Sequence, residues 1–240
     1  MTTAALTATG TRCWPRCRKP GWSWCWIRAA TCPPLAERYS HVYAAAGIHP
    51  ENCAGFQDAD LAALRQLLAQ PKVAAIGEIG LDYYWEENPP RDFQQMVFRK
   101  QLALAEELDL PVIVHDREAH GDSLSIIREF PAVTGVFHCF SGSPEMAEEL
   151  LKRGWYLGFD GPITYKNARR APEVAAITPL ERMVVETDAP YLSPVPVRGR
   201  RNDSRYLPHV IAKLAEWKGV TPEEMTRITC ENGKRLFRLG

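Results

Sequence analysis

Short apolar runs alternate along this chain with longer amphipathic stretches. The apolar runs occupy residues 42–48, 73–77, 112–114, 135–137, 155–159 and 183–185. Runs of this length without polar alternation predict strands that are buried on both faces. The amphipathic stretches predict helices at residues 58–70, 91–108, 124–130, 144–153, 167–176, 206–218 and 221–239.

This order of elements predicts an α/β fold made of parallel strand–helix units. The most consistent architecture is a TIM-type (β/α) barrel, which commonly needs roughly 250 residues. A doubly wound open sheet is the alternative, but it requires a glycine-rich phosphate loop after its first strand. The sequence has no such loop, internal repeat or low-complexity linker, so we expect one barrel domain at residues 35–240.

Residues 1–34 differ from the rest of the chain. Positions 12–26 hold four of the seven tryptophans and three of the seven cysteines, without helical or strand periodicity. One hypothesis is a zinc site at Cys13, Cys17, Cys25 and Cys32, although the spacing lacks paired Cys-x-x-Cys motifs. A second is a basic, tryptophan-rich arm that binds nucleic acid. We favour a third interpretation, in which this segment is not evolved protein sequence, as after an out-of-frame start.

Four of the predicted strands lead directly to a side chain that can bind a metal ion. These side chains are Glu78, His115, His138 and Asp188. A single histidine or aspartate at a strand end is often structural, but four on four strands favour one shared site at the C-terminal face. Imidazole and carboxylate ligands suit Zn, Mn, Fe or Mg. A metal-bound water supplies hydroxide near neutral pH, and two ions together stabilise phosphate displacement.

Six sequence blocks resemble the signatures of the TatD family of metal-dependent hydrolases. They are Gly-Ile-His-Pro at residues 47–50, Gly-Glu-Ile-Gly-Leu-Asp-Tyr-Tyr at 77–84, Val-His-Asp-Arg at 114–117, His-Cys-Phe-Ser-Gly at 138–142, Glu-Thr-Asp-Ala-Pro-Tyr-Leu at 186–192 and Arg-Gly-Arg-Arg-Asn at 198–202. The resemblance extends from about Leu35 to the C-terminus. It implies a TIM barrel that cleaves DNA with one or two divalent cations, of which Mg, Mn and Zn are candidates.

The resemblance also implies roles for individual residues. Glu78, His115, His138 and Asp188 would be metal ligands, with Glu78 shared between two ions and both histidines completing the second site. Glu78 and Asp188 would be the catalytic residues. We expect His49, Arg198 and Asn202 to bind substrate, since His49 ends an earlier strand and Arg198 opens a basic loop.

Other polar residues lie beside these ligands in the sequence. We expect Asp82 and Tyr83 to orient Glu78 or to line the pocket, and Asp116 and Arg117 to form an ion pair behind His115.

The chain departs from the family pattern at its first strand. The family carries a His-x-His pair there, whereas this sequence has no such pair and no histidine before His41. The barrel is therefore expected to be incomplete at its N-terminus. The alternative function is a remnant that binds metal or nucleic acid without turnover. A hydrolase of amides or lactones is a further alternative, but Lys72 and Lys100 do not stand at strand ends for carboxylation.

The composition of the chain bears on the partners and the cellular compartment of this chemistry. Lysine plus arginine equal aspartate plus glutamate, so the net charge is zero and provides no overall attraction to nucleic acid. No apolar run reaches the roughly 20 residues of a membrane span, and no signal peptide is evident. Seven scattered cysteines in a chain of this size indicate a reducing cytoplasm. DNA is the expected substrate, and no obligate protein partner is indicated.

Overall fold

The computed structural model describes residues 2–5, 22–27 and 33–239, with side chains from Ala36 onwards. The strands are Thr2–Ala5 (β1), Trp22–Ile27 (β2), Val42–Ala46 (β3), Val73–Asp82 (β4), Val112–Arg117 (β5), Gly135–Phe137 (β6), Tyr156–Phe159 (β7) and Met183–Val185 (β8). The helices are Pro33–Arg38 (α1), Asp58–Leu68 (α2), Arg91–Leu108 (α3), His120–Glu129 (α4), Pro144–Lys152 (α5), Arg170–Ile177 (α6), Leu207–Lys218 (α7) and Pro222–Leu236 (α8). Short 3-10 turns occupy Pro50–Asn52, Gly161–Thr164, Leu180–Arg182 and Ser204–Tyr206.

The chain forms two compact units, and residues 28–138 make up the first. In this 28–138 unit, β3, β4, β5 and β6 pair as neighbouring parallel strands. Helix α3 packs on β4, and α2 covers β3 and β4. Both faces of the sheet are buried, and the core is filled by Ile76, Ile79, Leu81, Phe98, Leu102, Val114, Ile126 and Phe137. Burial on both faces explains why these strands have continuous apolar sequences.

The second unit, here called the terminal unit, contains residues 1–27 and 139–240. Its strands pair in parallel as β1 with β2 and β7 with β8, and α8 packs against β1 and β8. Trp155, Leu157, Phe159, Leu207, Leu214 and Met225 are among its buried side chains. Helix α5 begins as its sequence predicts, because Ser143 Oγ accepts a hydrogen bond from the Met146 N–H at 3.3 Å and Pro144 takes the first helical position.

The predicted strands and helices are present, but several ends differ. Strand β4 continues past Glu78 to Asp82, because Gly80 and Leu81 still pair with β5. Strand β8 ends at Val185, before the polar residues that lead to Asp188. Helix α4 begins at His120 rather than at Leu124.

The N-terminal segment also differs from the expectation, since β1 and β2 are strands where no strand pattern was found. A parallel ladder is made by backbone groups and does not require alternating side chains, and tryptophan and isoleucine favour extended backbone. The zinc-site and nucleic-acid-arm hypotheses concern side chains outside the described residues. The domain boundary between residues 34 and 35 stays a prediction. Among the described helices, none combines the length and apolarity needed to cross a lipid bilayer.

Candidate metal centre

His49, Glu78 and His115 form a cluster in the 28–138 unit. One possible ligand atom from each residue lies within 4.8 Å of the corresponding atoms of the other two. His49 follows β3, Glu78 belongs to β4 and His115 belongs to β5. These strands are neighbours in a parallel sheet, so the pairing of β3 with β4 and of β4 with β5 brings the three side chains together. Two of the four predicted metal ligands, Glu78 and His115, are therefore in this cluster.

Glu78 owes its position to an irregularity in β4. Gly77 pairs with Ile113 and Ile79 pairs with Val114, which leaves Glu78 as an extra residue between two regular pairs. Such an irregularity redirects the side chain of the extra residue. Gly77 allows the close approach of the two strands, since a Cβ there would lie 2.6 Å from Ile113 Cβ. The Glu78 side chain is only 8 % exposed, so its carboxylate is held inside the cluster.

His49 was expected to contact substrate, and the structure places it beside Glu78. Its Nδ1 accepts a hydrogen bond from the Glu51 N–H at 3.3 Å, and its Nε2 lies 3.5 Å from Glu78 Oε2. Its ring also meets the His115 ring edge-on, with centroids 4.5 Å apart. Nε2 is therefore the nitrogen that faces the centre. The sequence contained the relevant signal, because His49 follows an apolar run as the other ligands do.

His115 is held by a buried carboxylate from the end of β4. Asp82 is fully buried, and its Oδ2 lies 2.9 Å from His115 Nε2. Burial by itself raises the pKa of Asp82, but hydrogen bonds from His115 and the Tyr84 N–H, with the charges of His115 and Arg117, hold that pKa below its usual value. An ionised carboxylate only accepts hydrogen bonds, so Nε2 is the nitrogen that donates to Asp82, and in the neutral imidazole Nδ1 keeps its lone pair. Asp82, expected from the sequence to orient Glu78 or to line the pocket, thus orients His115.

His138 lies on the other side of Glu78. It follows β6, is buried, and its Nε2 is 4.0 Å from Glu78 Oε1. Its backbone N–H donates to the Val114 carbonyl at 2.9 Å, which extends the pairing of β5 with β6 by one residue. Both carboxylate oxygens of Glu78 therefore face an imidazole: Oε2 faces His49 and Oε1 faces His138.

Asp188, the fourth predicted ligand, belongs to the terminal unit and is half-buried there. It accompanies two buried carboxylates, Asp160 after β7 and Glu186 after β8. Burial first, and then the charges of Asp160, Asp188 and Glu186, raise the pKa of the Cys139 thiol well above its usual value. Glu186 Oε1 also accepts the Cys139 N–H at 2.7 Å. Sequence reasoning missed Asp160 and Glu186, although both directly follow apolar strands.

The other two predicted substrate-binding residues lie in the loops of the terminal unit. The Arg198 guanidinium lies 4.1 Å from the centroid of the Tyr165 ring. Asn202 is fully buried, and its Nδ2 donates to the Tyr191 carbonyl at 2.7 Å, which braces the loop after Asp188. Contact of either residue with substrate stays a prediction. Arg117, expected to pair with Asp116, lies over the Tyr84 ring instead, while Asp116 contacts His120 at 2.8 Å.

The chemistry of these donors fits a divalent metal ion. Two imidazoles and a carboxylate within 4.8 Å make up three protein ligands, a common number for a catalytic metal that also binds water. Nitrogen and oxygen donors together suit several first-row metals, so the donor set does not select one metal. The hydrogen bond from His115 to Asp82 is typical of a metal-binding histidine, whose second nitrogen is usually held by a carboxylate or carbonyl.

Comparison with known proteins identifies the family. Residues 27–238 match the model of the family described as TatD related DNase. The chain is 47% identical over 207 residues to the uncharacterized metal-dependent hydrolase YabD of Bacillus subtilis (strain 168), covering 85% of this chain and 81% of that protein. It is 37% identical over 212 residues to the 3′-5′ ssDNA/RNA exonuclease TatD of Cronobacter sakazakii, covering 85% and 80% respectively.

A solved structure agrees with this result. The crystal structure of YjjV, a TatD homologue from Escherichia coli K12, superimposes with a TM-score of 0.85 at 33% identity, covering 91% of this chain and 87% of that one. This likeness confirms the predicted fold class, an α/β fold of the TIM-type (β/α) barrel class. The matched segment includes every predicted ligand and begins before Leu35. The chain belongs to the TatD-related DNase family.

Proposed function

We propose that this chain is a metal-dependent phosphodiesterase that removes nucleotides from an end of single-stranded DNA. The observation that carries the proposal is the cluster of His49, Glu78 and His115, of which the first two are buried, in a chain of the TatD-related DNase family. The Cronobacter sakazakii relative, named a 3′-5′ ssDNA/RNA exonuclease, supports both the polymer and the end from which it is cut. RNA is a second substrate to be tested in the same assay.

Glu78, His115 and His138 are the residues we propose as ligands of the divalent ion, with Asp188 as the fourth. When bound, such an ion makes its water acidic enough to supply hydroxide near neutral pH and stabilises negative charge on phosphate oxygens. His49 Nε2 lies 3.5 Å from Glu78 Oε2 in the same cluster, so we propose His49 as a further ligand of this ion. The half-buried carboxylate of Asp188 is our candidate for accepting the proton of the attacking water.

The missing His-x-His pair limits how many ions we propose. The cluster of His49, Glu78 and His115 provides three ligands for one ion without that pair. We therefore propose that one ion is sufficient for activity, and that any second ion binds more weakly. Titration of the metal-free protein with Mn²⁺, monitored by calorimetry, gives the number of ions directly.

The test is cleavage of a 5′-labelled single-stranded oligonucleotide by purified protein. The protein is first treated with chelator, and then Mg²⁺, Mn²⁺ or Zn²⁺ is added back. We expect no cleavage in chelator, restored cleavage with at least one ion, and progressive shortening from the 3′ end. Glu78→Ala should abolish this activity, whereas Glu129→Ala should not, since Glu129 is a surface carboxylate that pairs with Arg99.

Two results would contradict the proposal. Cleavage that survives Glu78→Ala would mean that the activity arises at another site or from a contaminant. A wild-type protein that binds Mn²⁺ but cuts neither DNA nor RNA with any of the three ions would be a non-catalytic remnant.

A further inference from the structure

Two adjacent aromatic side chains are exposed just beyond the strand that carries Glu78. Tyr84 is 46 % exposed and Trp85 is 44 % exposed, and both follow the end of β4 at Asp82. Large aromatic side chains dominate core and interface energetics because they bury so much area, so an exposed pair marks a surface that is suited to bind a ligand. The two rings meet edge to face, with centroids 4.7 Å apart and an interplanar angle of 86°.

An exposed arginine completes this surface. Arg117, the last residue of β5, places its guanidinium 3.8 Å from the centroid of the Tyr84 ring and 5.4 Å from that of Trp85. A guanidinium stacked on an aromatic ring keeps its outward N–H groups available for a phosphate. We call Tyr84, Trp85 and Arg117 the aromatic platform. It combines flat apolar faces with one positive charge, in a chain whose net charge is zero.

The aromatic platform is tied to the metal centre through a single carboxylate. Asp82 Oδ1 accepts the Tyr84 N–H at 3.0 Å, while its Oδ2 lies 2.9 Å from His115 Nε2. The Asn88 side chain donates to Asp82 Oδ1 and to the Asp82 carbonyl, at 3.1 Å each, and so fixes the segment that carries both rings. Arg117 stands two residues after His115 on the same strand. The platform, Glu78 and His115 are thus held by the same two neighbouring strands, β4 and β5.

Unpaired bases match this surface better than paired ones. Bases in a duplex are already stacked on their neighbours, whereas an unpaired base offers a free π-face to an aromatic side chain. Stacking of this kind accepts any base, and a nearby arginine binds the phosphate that connects it to the next one. A surface of this type selects single strands by shape and not by sequence.

We propose that the aromatic platform binds an unpaired base of the strand being cut, next to the phosphodiester at the metal centre, and so determines a preference for single-stranded ends. This inference rests on the proposed function, because it assigns the platform to the same nucleic acid substrate. The Trp85 ring stacks on the base, Tyr84 supports that ring by its edge-to-face contact and holds Arg117, and Arg117 contacts the phosphate of that base. These are positioning residues, and none of them takes part in bond cleavage.

The test compares two substrates with four proteins. The substrates are a single-stranded oligonucleotide and a matched one whose 3′-terminal residues are tetrahydrofuran abasic analogues. The proteins are the wild type, Trp85→Ala, Trp85→Phe and the control Trp217→Ala. Trp217 is a suitable control because it also lies under a cation, Lys213 at 5.5 Å, but on α7 of the terminal unit.

We expect Trp85→Ala to raise KM for the normal oligonucleotide about tenfold, with kcat nearly unchanged, because one stacked base is lost. The abasic substrate should have an equally high KM with the wild type and with Trp85→Ala. Trp217→Ala should behave as the wild type on both substrates, and Trp85→Phe should recover most of the loss. The proposal that the aromatic platform binds a base would be contradicted by an unchanged KM for Trp85→Ala. It would also be contradicted if Trp85→Ala raised KM equally for the normal and the abasic substrate.

A binding experiment separates this inference from the proposed function. If no cleavage is found with any ion, the proposed function fails, but anisotropy of a fluorescent single-stranded oligonucleotide still reports on the platform. Trp85→Ala should then weaken binding about tenfold relative to wild type and to Trp217→Ala. Equal affinities of all three proteins for the oligonucleotide would also contradict base binding by the aromatic platform.

Discussion

Asp82 and His115 form a carboxylate–imidazole pair, with the buried Asp82 Oδ2 at 2.9 Å from Nε2 of the partly exposed His115. Asp82 is fully buried at the end of β4, and its side chain also accepts the Tyr84 N–H. A fixed acceptor on Nε2 determines which nitrogen of His115 keeps its lone pair and in which direction the ring faces. The pair therefore prepares His115 to bind a metal ion at Nδ1.

We predict that Asp82→Asn weakens metal binding by about 10- to 100-fold, the usual effect of losing a residue that orients a metal ligand. Calorimetric titration with Mn²⁺ measures this. The matched control is Asp116→Asn, because Asp116 also contacts a histidine, His120, at 2.8 Å, but that histidine is not among the proposed ligands. Equal affinities for the two variants would show that Asp82 does not tune the centre.

Gly80 gives a second prediction, for stability. Its φ is +134°, which L side chains rarely adopt, and an added Cβ would overlap the His115 carbonyl oxygen. We expect Gly80→Ala to lower the free energy of unfolding by about 1–3 kcal/mol, the usual cost of steric overlap in a packed interior. Urea unfolding of wild type and variant measures the difference.

Gly121→Ala is the control for Gly80→Ala. Gly121 lies in α4, and among the described residues an added Cβ there meets no atom within 4 Å. Alanine in place of a helical glycine should be neutral or stabilising by up to about 1 kcal/mol. If the two variants unfold at the same urea concentration, the close approach of β4 and β5 does not require glycine at position 80.

Much of the candidate centre was predictable because parallel strands bring their C-terminal ends to one edge. That rule, applied to apolar runs, selected Glu78, His115 and His138 from the sequence, and the structure places both histidines beside Glu78. The rule was incomplete for Glu78, which is an extra residue inside β4 and not a strand end. Apolar composition does not reveal such an irregularity, because it depends on the register with β5.

Contacts between strands distant in sequence were the least predictable feature. Arg117 was expected beside its sequence neighbour Asp116, yet its guanidinium lies over Tyr84, thirty-three positions earlier in the chain. Asp82 was expected to orient Glu78 or to line the pocket, and its carboxylate holds His115. In each case the partner was determined by the register of β4 against β5, which pairs Leu81 with Asp116 and Asp82 with Arg117. A single sequence contains no direct signal for that register.

Tyr83 provides a prediction about pH. Burial raises the pKa of Tyr83 to about 12, assisted by the Asp122 carboxylate that accepts its O–H at 2.9 Å, whereas the Gln95 amide and the charge of Arg91 act in the opposite direction. In the unfolded chain a tyrosine titrates near pH 10. The folded state therefore retains this proton while the unfolded state loses it. The stabilising contribution is complete below about pH 10 and is lost as the pH rises towards about 12.

The measurement is urea unfolding of wild type and Tyr83→Phe at about pH 9 and about pH 11, on either side of the unfolded-state pKa. The wild type should lose more stability between the two values than the variant, which has no phenol to ionise at this position. Phenolate absorbance should also show one fewer late-titrating group in Tyr83→Phe. Parallel pH dependence of the two proteins would contradict the raised pKa.

Lys218 gives the last prediction, which concerns the end of helix α6. From the end of α7, its Nζ donates to the carbonyls of Ala175, Ala176 and Thr178, at 3.0, 3.2 and 3.1 Å. A helix leaves its last carbonyls without partners and carries partial negative charge there. A lysine at this place donates hydrogen bonds to the carbonyls, and its positive charge interacts favourably with the helix end. We expect Lys218→Met to lower the free energy of unfolding by about 1–2 kcal/mol.

Lys213→Met is the comparison, because Lys213 on the same helix pairs with a side chain, Glu216, at 3.0 Å. Exposed pairs of this type contribute about 0.5 kcal/mol or less, so this variant should unfold close to wild type. Equal losses would mean that the lysine does not cap α6. A larger loss of unfolding free energy for Lys218→Met would show that Lys218 caps α6. The chain runs from α6 through Leu180–Arg182 into β8, and β8 leads to Asp188, so a loosened α6 should also affect the position of Asp188. Lys218→Met should then also reduce oligonucleotide cleavage more than Lys213→Met does.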